Sequence, residues 1–291
     1  MLGGYWESVA IFMGINCLMG ISLYIPMTAG LISLGQGGFM AIGAYVCALL
    51  TKAEVSFAVA LGAGGCAAAV AGVIVGAPAL RIRGIYVMIL TLGFGEIVRV
   101  FFANFEPTGG ASGMGGIRPL TELWQVTVVT GVALLLVWRI RHVRFGRAMV
   151  AIHEDDVAAE AMGINLTRTK LLSFTLGSAL AGIAGGFYAH QALFIDANQF
   201  DFTRSAITFL YVILGGPANP FGPIIGAAIV TLVKNVASTY VERWNTLLGA
   251  IFVIVIVFMP YGLVPGCRQL WQRITARRQQ TGVKATSEPA A

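Results

Sequence analysis

The sequence predicts an all-α, polytopic membrane bundle of about eight or nine segments. Three observations carry that expectation. Hydrophobic residues make up 57% of the 291 positions and charged residues only 11%, whereas an average soluble domain has roughly 25% charged residues. Mean hydropathy is +0.81. Charge is also partitioned: ten of the 32 charged residues, with His142 and His153, fall within residues 139–170, RIRHVRFGRAMVAIHEDDVAAEAMGINLTRTK, between long stretches almost free of charge. A soluble surface needs charge everywhere, and a chain embedded in lipid needs it only where it meets water. Backbone facing lipid must be fully hydrogen-bonded within its own segment, so spans this apolar are helices and not barrel strands.

Nine apolar segments can be read in order: 6–27, 38–50, 55–80, 85–105, 123–138, then, past the charged island, 171–193, 206–214, 224–236 and 247–264. No basic region precedes the first apolar run, which reads as a retained span and not a signal peptide. The two short segments flank the turn GGPANPFG at 215–222, in an apolar stretch too long for one span. The domain division is a transmembrane unit at 1–266, containing the island, and a basic tail at 267–291. Small residues four apart, as in Gly72 and Gly76, Gly222 and Gly226, and Ser178, Gly182 and Gly186, allow helix backbones to approach closely.

Charge placement sets the expected orientation. Basic residues concentrate in cytoplasmic loops. Arg81 and Arg83, six cations of the island, and Arg268, Arg273, Arg277, Arg278 and Lys284 of the tail together hold 13 of the 19 Lys and Arg residues. The nine-segment order puts all three groups on one side, so the C-terminus is expected in the cytoplasm. The net charge of +6 is therefore a matter of topology. No basic and aromatic residues interleave as a nucleic-acid surface would require.

Catalytic signatures are missing. The chain has no HExxH, no GxSxG and no GxxxxGK[ST], so it cannot hydrolyse ATP through a Walker loop. Its four cysteines are scattered singly, and its three histidines are not at metal-ligand spacing. Neither a resident cofactor nor a metal site is expected.

Candidate residues for a translocation path are few. Glu96 and Arg99 lie three apart on one helix face, where they can pair. At membrane depth such residues usually face a cavity or a partner, although this pair stands about two turns from a helix end and a purely structural ion pair is the other reading. Two glycine-rich breaks could present backbone groups to a polar solute: PTGGASGMGG at 107–116, with Thr108, Gly109 and Gly110, and GGPANPFG, with Gly215, Gly216 and Asn219. Plain surface turns remain equally open for both. A third glycine-punctuated connection runs through 28–38.

Within the island, EDDVAAEAM at 154–162 followed by Gly163 reads as a short helix with acids in its first turn and a glycine stop. Either an ordinary solvated loop or a docking element for a soluble subunit fits that pattern.

Six blocks, in order, carry a family resemblance: SLGQGGFMAIGAY (33–45), RIRGIYVMILTLGFGEIVR (81–99), TGGASGMGGI (108–117), FGRAMVAIHEDDVAAEAMGIN (145–165), KLLSFTLGSALAGIAGGFYA (170–189) and LGGPANPFGPIIGA (214–227). The sequence resembles the permease subunit of ABC importers of the branched-chain amino acid (Liv) type, LivM-like members in particular. The resemblance implies the ABC importer permease fold, a second permease subunit, two cytoplasmic ATP-binding subunits that use the ATP, and an external solute-binding protein, all at a bacterial inner membrane. In the wider family an EAA-xxx-G pattern docks on the ATPase. Here Ala158, Ala159 and Gly163 fall on that pattern, Val157 stands in place of its glutamate, and the I-x-L-P element that follows it is absent. Coupling residues implied around it are Arg147, His153, Glu154, Asp155, Asp156 and Glu160.

The expected function is ATP-driven import of branched-chain amino acids or a related small polar solute. Urea or amides and small organic acids are alternative cargoes, and an ion-coupled carrier acting alone is an alternative mechanism. An intramembrane enzyme is disfavoured because no nucleophile–base or metal set exists.

Overall fold

The computed structural model describes residues 2–82, 84–217, 219–240 and 249. The last expected segment, 247–264, and the tail at 267–291 lie outside them but for residue 249. Ten α-helices run through the described residues: α1 (Leu2–Met27), α2 (Gln36–Lys52), α3 (Phe57–Ala79), α4 (Ile85–Asn104), α5 (Leu123–His142), α6 (Arg144–Glu154), α7 (Asp156–Ala161), α8 (Leu166–Ala192), α9 (Phe202–Gly215) and α10 (Gly222–Tyr240). No strand occurs among them, only the isolated bridge between Met114 and Ile195. Among the described residues, five helices are long and apolar enough to cross a membrane: α1, α3, α4, α5 and α8.

The boundaries follow local chemistry. Proline near the ends of α1 (Pro26) and α3 (Pro78) cannot continue a helix further. Gly84 precedes α4 with φ 64°, a conformation that favours glycine. At the start of α5, Glu122 and Gln125 form a reciprocal capping box, which satisfies two otherwise orphaned donors. The other end of α5 carries Arg139, Arg141 and His142, favourable at the negative end of the helix dipole.

Helix α8 is the central post. It packs against α1, α2 and α3, and 61% of its membrane-length window is buried, against 17% for the peripheral α5. Glycine makes this possible. A Cβ on Gly43 of α2 would overlap the backbone of Gly182 in α8, and one on Gly64 of α3 would sit 2.8 Å from the Gly43 carbonyl oxygen. The three helices therefore touch backbone to backbone, which suits association in lipid, where burial of apolar surface gives little drive. The outward faces of α3, α4 and α5 keep Ile74, Ile89, Ile97, Val132 and Leu135 exposed, as an apolar solvent permits.

The pair α9–α10 is an antiparallel hairpin beside α1. Tyr5 Oη donates to Asn235 Oδ1 (3.2 Å), Asn16 Nδ2 to Thr231 Oγ1 (2.9 Å), and a Cβ on Gly20 would lie 3.0 Å from the Pro223 carbonyl oxygen. The turn between α9 and α10 is thus level with Gly20, seven residues before α1 ends at Met27. At 1.5 Å per residue it stops about 10 Å short of that end. The two short segments do not each cross the bundle; together they enter, turn and return. The backbones close tightly, because a Cβ on Gly215 would overlap Gly222 and one on Gly226 would overlap the Tyr211 carbonyl.

Candidate functional site

The island holds α6 and α7 between the end of α5 and the start of α8. The expected single helix at 154–162 is broken at Asp155, whose φ of −156° and ψ of 111° are extended. The physical reason is capping. Asp155 Oδ1 accepts from Val157 N (2.8 Å) and Ala158 N (3.1 Å), and a carboxylate does more for a helix at its N-cap than inside it. Glu154 accordingly ends α6. At the other end Gly163 has φ 81° and the Gly163 N–Glu160 O (2.9 Å) and Ile164 N–Ala159 O (3.1 Å) bonds of a Schellman motif. The expected glycine stop is there.

Helix α6 is amphipathic. Gly146, Met149 and Ile152 are buried at three-residue spacing, while Arg147 and His153 are exposed. Ala159 is buried where α7 leans on the bundle, and Ala158 and Glu160 face out. Two ties hold the island to the membrane helices. Lys170 Nζ donates to Asp156 at 2.8 and 2.9 Å, joining α7 to the base of α8. Arg141 Nη1 donates to Tyr24 Oη (3.1 Å), joining the end of α5 to α1. A cleft of about 530 Å³ opens where Asp156, Glu160 and Lys170 meet the α1–α2 loop at Gly30 and the α3–α4 connection at Ile82. Two large apolar side chains stand in the open at the tip: Val157 is 71% exposed and Met162 83% exposed.

The Asp156–Lys170 pair is partly buried, with side-chain exposures of 35% and 17%, so it contributes about 1 kcal/mol to seating α7. Asp156→Ala is expected to speed hydrogen exchange at the Met162, Gly163 and Ile164 amides about fivefold. The exchanged pair Asp156→Lys with Lys170→Asp is expected to restore slow exchange. Equal exchange in all three proteins would show that the bridge holds nothing.

The expected translocation residues fall in three places. Arg99 Nε donates to Glu96 Oε2 (2.7 Å) and Arg99 Nη1 to Asn198 Oδ1 (3.1 Å), and Asn198 Nδ2 donates in turn to Asp196 Oδ2 (3.1 Å). Thr108 is fully buried, its hydroxyl donating to the Phe105 carbonyl (2.7 Å). Gly109 and Gly110 follow with φ 82° and 54° in a folded cap, stapled to the end of α8 by Met114 N to Ile195 O (2.8 Å) and the reciprocal bond (3.0 Å). Gly215 and Gly216 are buried at the α9–α10 turn, where the Asn219 side chain accepts from Phe221 N (3.2 Å). Among the described residues no hydrogen bond or ion pair links that turn to the other two groups. His190 is buried, its Nε2 2.9 Å from Thr51 Oγ1. No cluster of three or more His, Cys, Asp or Glu able to hold a metal occurs among the described residues.

Sequence reasoning passed over Arg204 and Lys234. Both are cations on the paired helices α9 and α10, and both line one cavity with Asn16 and Thr231. A lysine within an apolar helix was the available signal.

The profile of the family described as branched-chain amino acid transport system / permease component matches residues 5–259. The chain belongs to this permease family. Membership makes it a transport component, and its apolar helices make it a multi-pass membrane protein. The chain is similar to the high-affinity branched-chain amino acid transport system permease protein LivM of Escherichia coli, with 34% identity over 292 residues, 88% of this chain and 67% of the relative. It is 31% identical over 144 residues to LivH of the same organism, covering 49% of this chain and 46% of that one. It is also 26% identical over 242 residues to the ribose import permease protein RbsC of Escherichia coli, covering 76% and 74%. No solved structure matches the permease significantly.

Proposed function

We propose that this permease is one of two membrane subunits of an importer driven by two cytoplasmic ATP-binding subunits and fed by an external solute-binding protein. Its cargo is a branched-chain amino acid or a closely related small solute. The island lies in the cytoplasm, and the C-terminus with it. Hydrolysis takes place on the partner subunits, and α6–α7 receives the resulting motion.

One observation carries the docking role: a helix capped at both ends, tied to α8 by a salt bridge, presents Val157 and Met162 to water. Large apolar side chains held in the open on a rigid element are what a protein partner covers. The Val157 position, which holds glutamate in the wider family, stands at that tip. Asp156 is half-buried in its bridge and serves as a support, whereas Glu160 and Met162 are available for contact.

Crosslinking tests the role. Cysteines at Glu160 and Met162, in a chain carrying Cys66→Ser, are expected to crosslink to the ATP-binding subunit in assembled membranes. A cysteine at the outward-facing Ile89 is expected to stay free. Absence of crosslinks at both island positions in a complex that imports leucine would reject the docking assignment.

A further inference from the structure

Between α1, α8, α9 and α10 lies a cavity of about 260 Å³ whose lining includes Val9, Phe12, Asn16, Tyr188, Arg204 and Lys234. Two of these are cations, and no carboxylate is among the lining residues. Neither Arg204 nor Lys234 forms a salt bridge among the described residues. Asp201, the nearest acid in sequence to Arg204, is engaged at the start of α9: its carboxylate accepts from Arg204 N (3.2 Å) and from Thr203 Oγ1 (2.9 Å).

Arg204 is held ready for a ligand. Its guanidinium carbon lies 4.5 Å from the centre of the Tyr188 ring, while the Tyr188 hydroxyl donates to Gln199 Oε1 (3.2 Å) and fixes that ring. The Arg204 Nε–H is buried and has no hydrogen-bond partner. A buried, unpaired donor on a permanent cation is costly and is usually met by a ligand or an anion. Lys234 adds a second positive charge to the same lining, from an exposed position on α10. Opposite them, Val9 and Phe12 supply an apolar wall. Asn16 and Thr231 bridge α1 to α10 beside it, so the cavity forms only when the hairpin is docked on α1.

We propose that this cavity is a subsite for a carboxylate-bearing solute, with Arg204 and Lys234 taking the carboxylate and Val9 and Phe12 the aliphatic side chain. The inference rests on the import role proposed above and narrows it: an amino acid or small organic acid fits, and urea or a neutral amide lacks the group the two cations require. Arg204 supplies a planar fork for two carboxylate oxygens, and Lys234 a point charge.

The test reads the local potential separately from transport. In the assembled importer, with Asn16→Cys placed in a Cys66→Ser chain, a sulfonate-bearing methanethiosulfonate is expected to label the cavity roughly tenfold faster than a trimethylammonium one, relative to their rates with a free thiol. Arg204→Lys is expected to keep the preference, and the double variant Arg204→Gln, Lys234→Gln to abolish it. Leucine is expected to slow labelling more than leucinamide, which keeps the side chain and the ammonium and lacks the carboxylate. No anion preference, a preference that survives the double variant, or unchanged leucine import by the double variant would each overturn the subsite. Anion preference and leucine protection in a complex that does not import leucine would instead overturn the import role and leave the subsite standing.

Discussion

Gly43→Ala is expected to cost at least about 3 kcal/mol and to leave little folded permease in the membrane, because the added methyl group meets backbone and not a side chain that can swing away. A Cβ there overlaps the Gly182 backbone, and a Cβ on Gly182 would in turn lie 2.8 Å from the Gly64 carbonyl oxygen. Relief requires α2 to move off α8, which undoes packing along the whole pair. Gly62→Ala is the control. It lies on α3 a half turn away, nothing stands within 4 Å of its Cβ, and alanine is the better helix former by roughly 1 kcal/mol. The check is the yield of monodisperse protein in detergent together with its thermal unfolding. If the two variants behave alike, the glycine node is not what joins these helices.

The second large effect is functional. Met162→Asp, or Val157→Asp, is expected to weaken association with the ATP-binding subunit about 30-fold, near 2 kcal/mol, with no loss of folded permease. The fold is spared because both side chains are largely exposed and neither supports a neighbour. Affinity falls because a charge at the centre of an apolar contact must be desolvated without a partner. Titrating the purified ATP-binding subunit against permease in nanodiscs measures it. Wild-type affinity in both variants would place the docking surface elsewhere on the island, with Arg147 and His153 on α6 the next positions to examine. Val157→Glu, which restores the wider family's residue, falls in the first turn of α7, where the helix dipole favours an acid.

Much of the bundle was legible from local signals. Apolar runs placed α1, α3 and α4 within a few residues, and spacing alone anticipated the Glu96–Arg99 pair, since residues three apart lie on one face of a helix. The missed features depend on competition or on distance. Asp155 can sit inside a helix or cap one, and both readings share one local sequence; the two backbone donors it satisfies decided for the cap. The depth of the α9–α10 turn is set by Pro223 against Gly20, two residues some two hundred positions apart. Arg204 and Lys234 lie in different helices and meet at one cavity only because the hairpin folds back on α1. Contacts of that kind have no periodicity to betray them.

The glycine contacts among α2, α3 and α8 have a mechanical consequence. Side chains between helices behave as springs, because rotamers can shift and absorb a displacement. Backbone against backbone leaves nothing to absorb it. Helix α8 has 27 residues, about 40 Å of rod, with Lys170 near one end gripping α7 and Gly182 of the glycine node about 18 Å further along. A push of one ångström delivered at Asp156 would reach Gly182 with little loss, and α2 and α3 would travel with it as one stiff body.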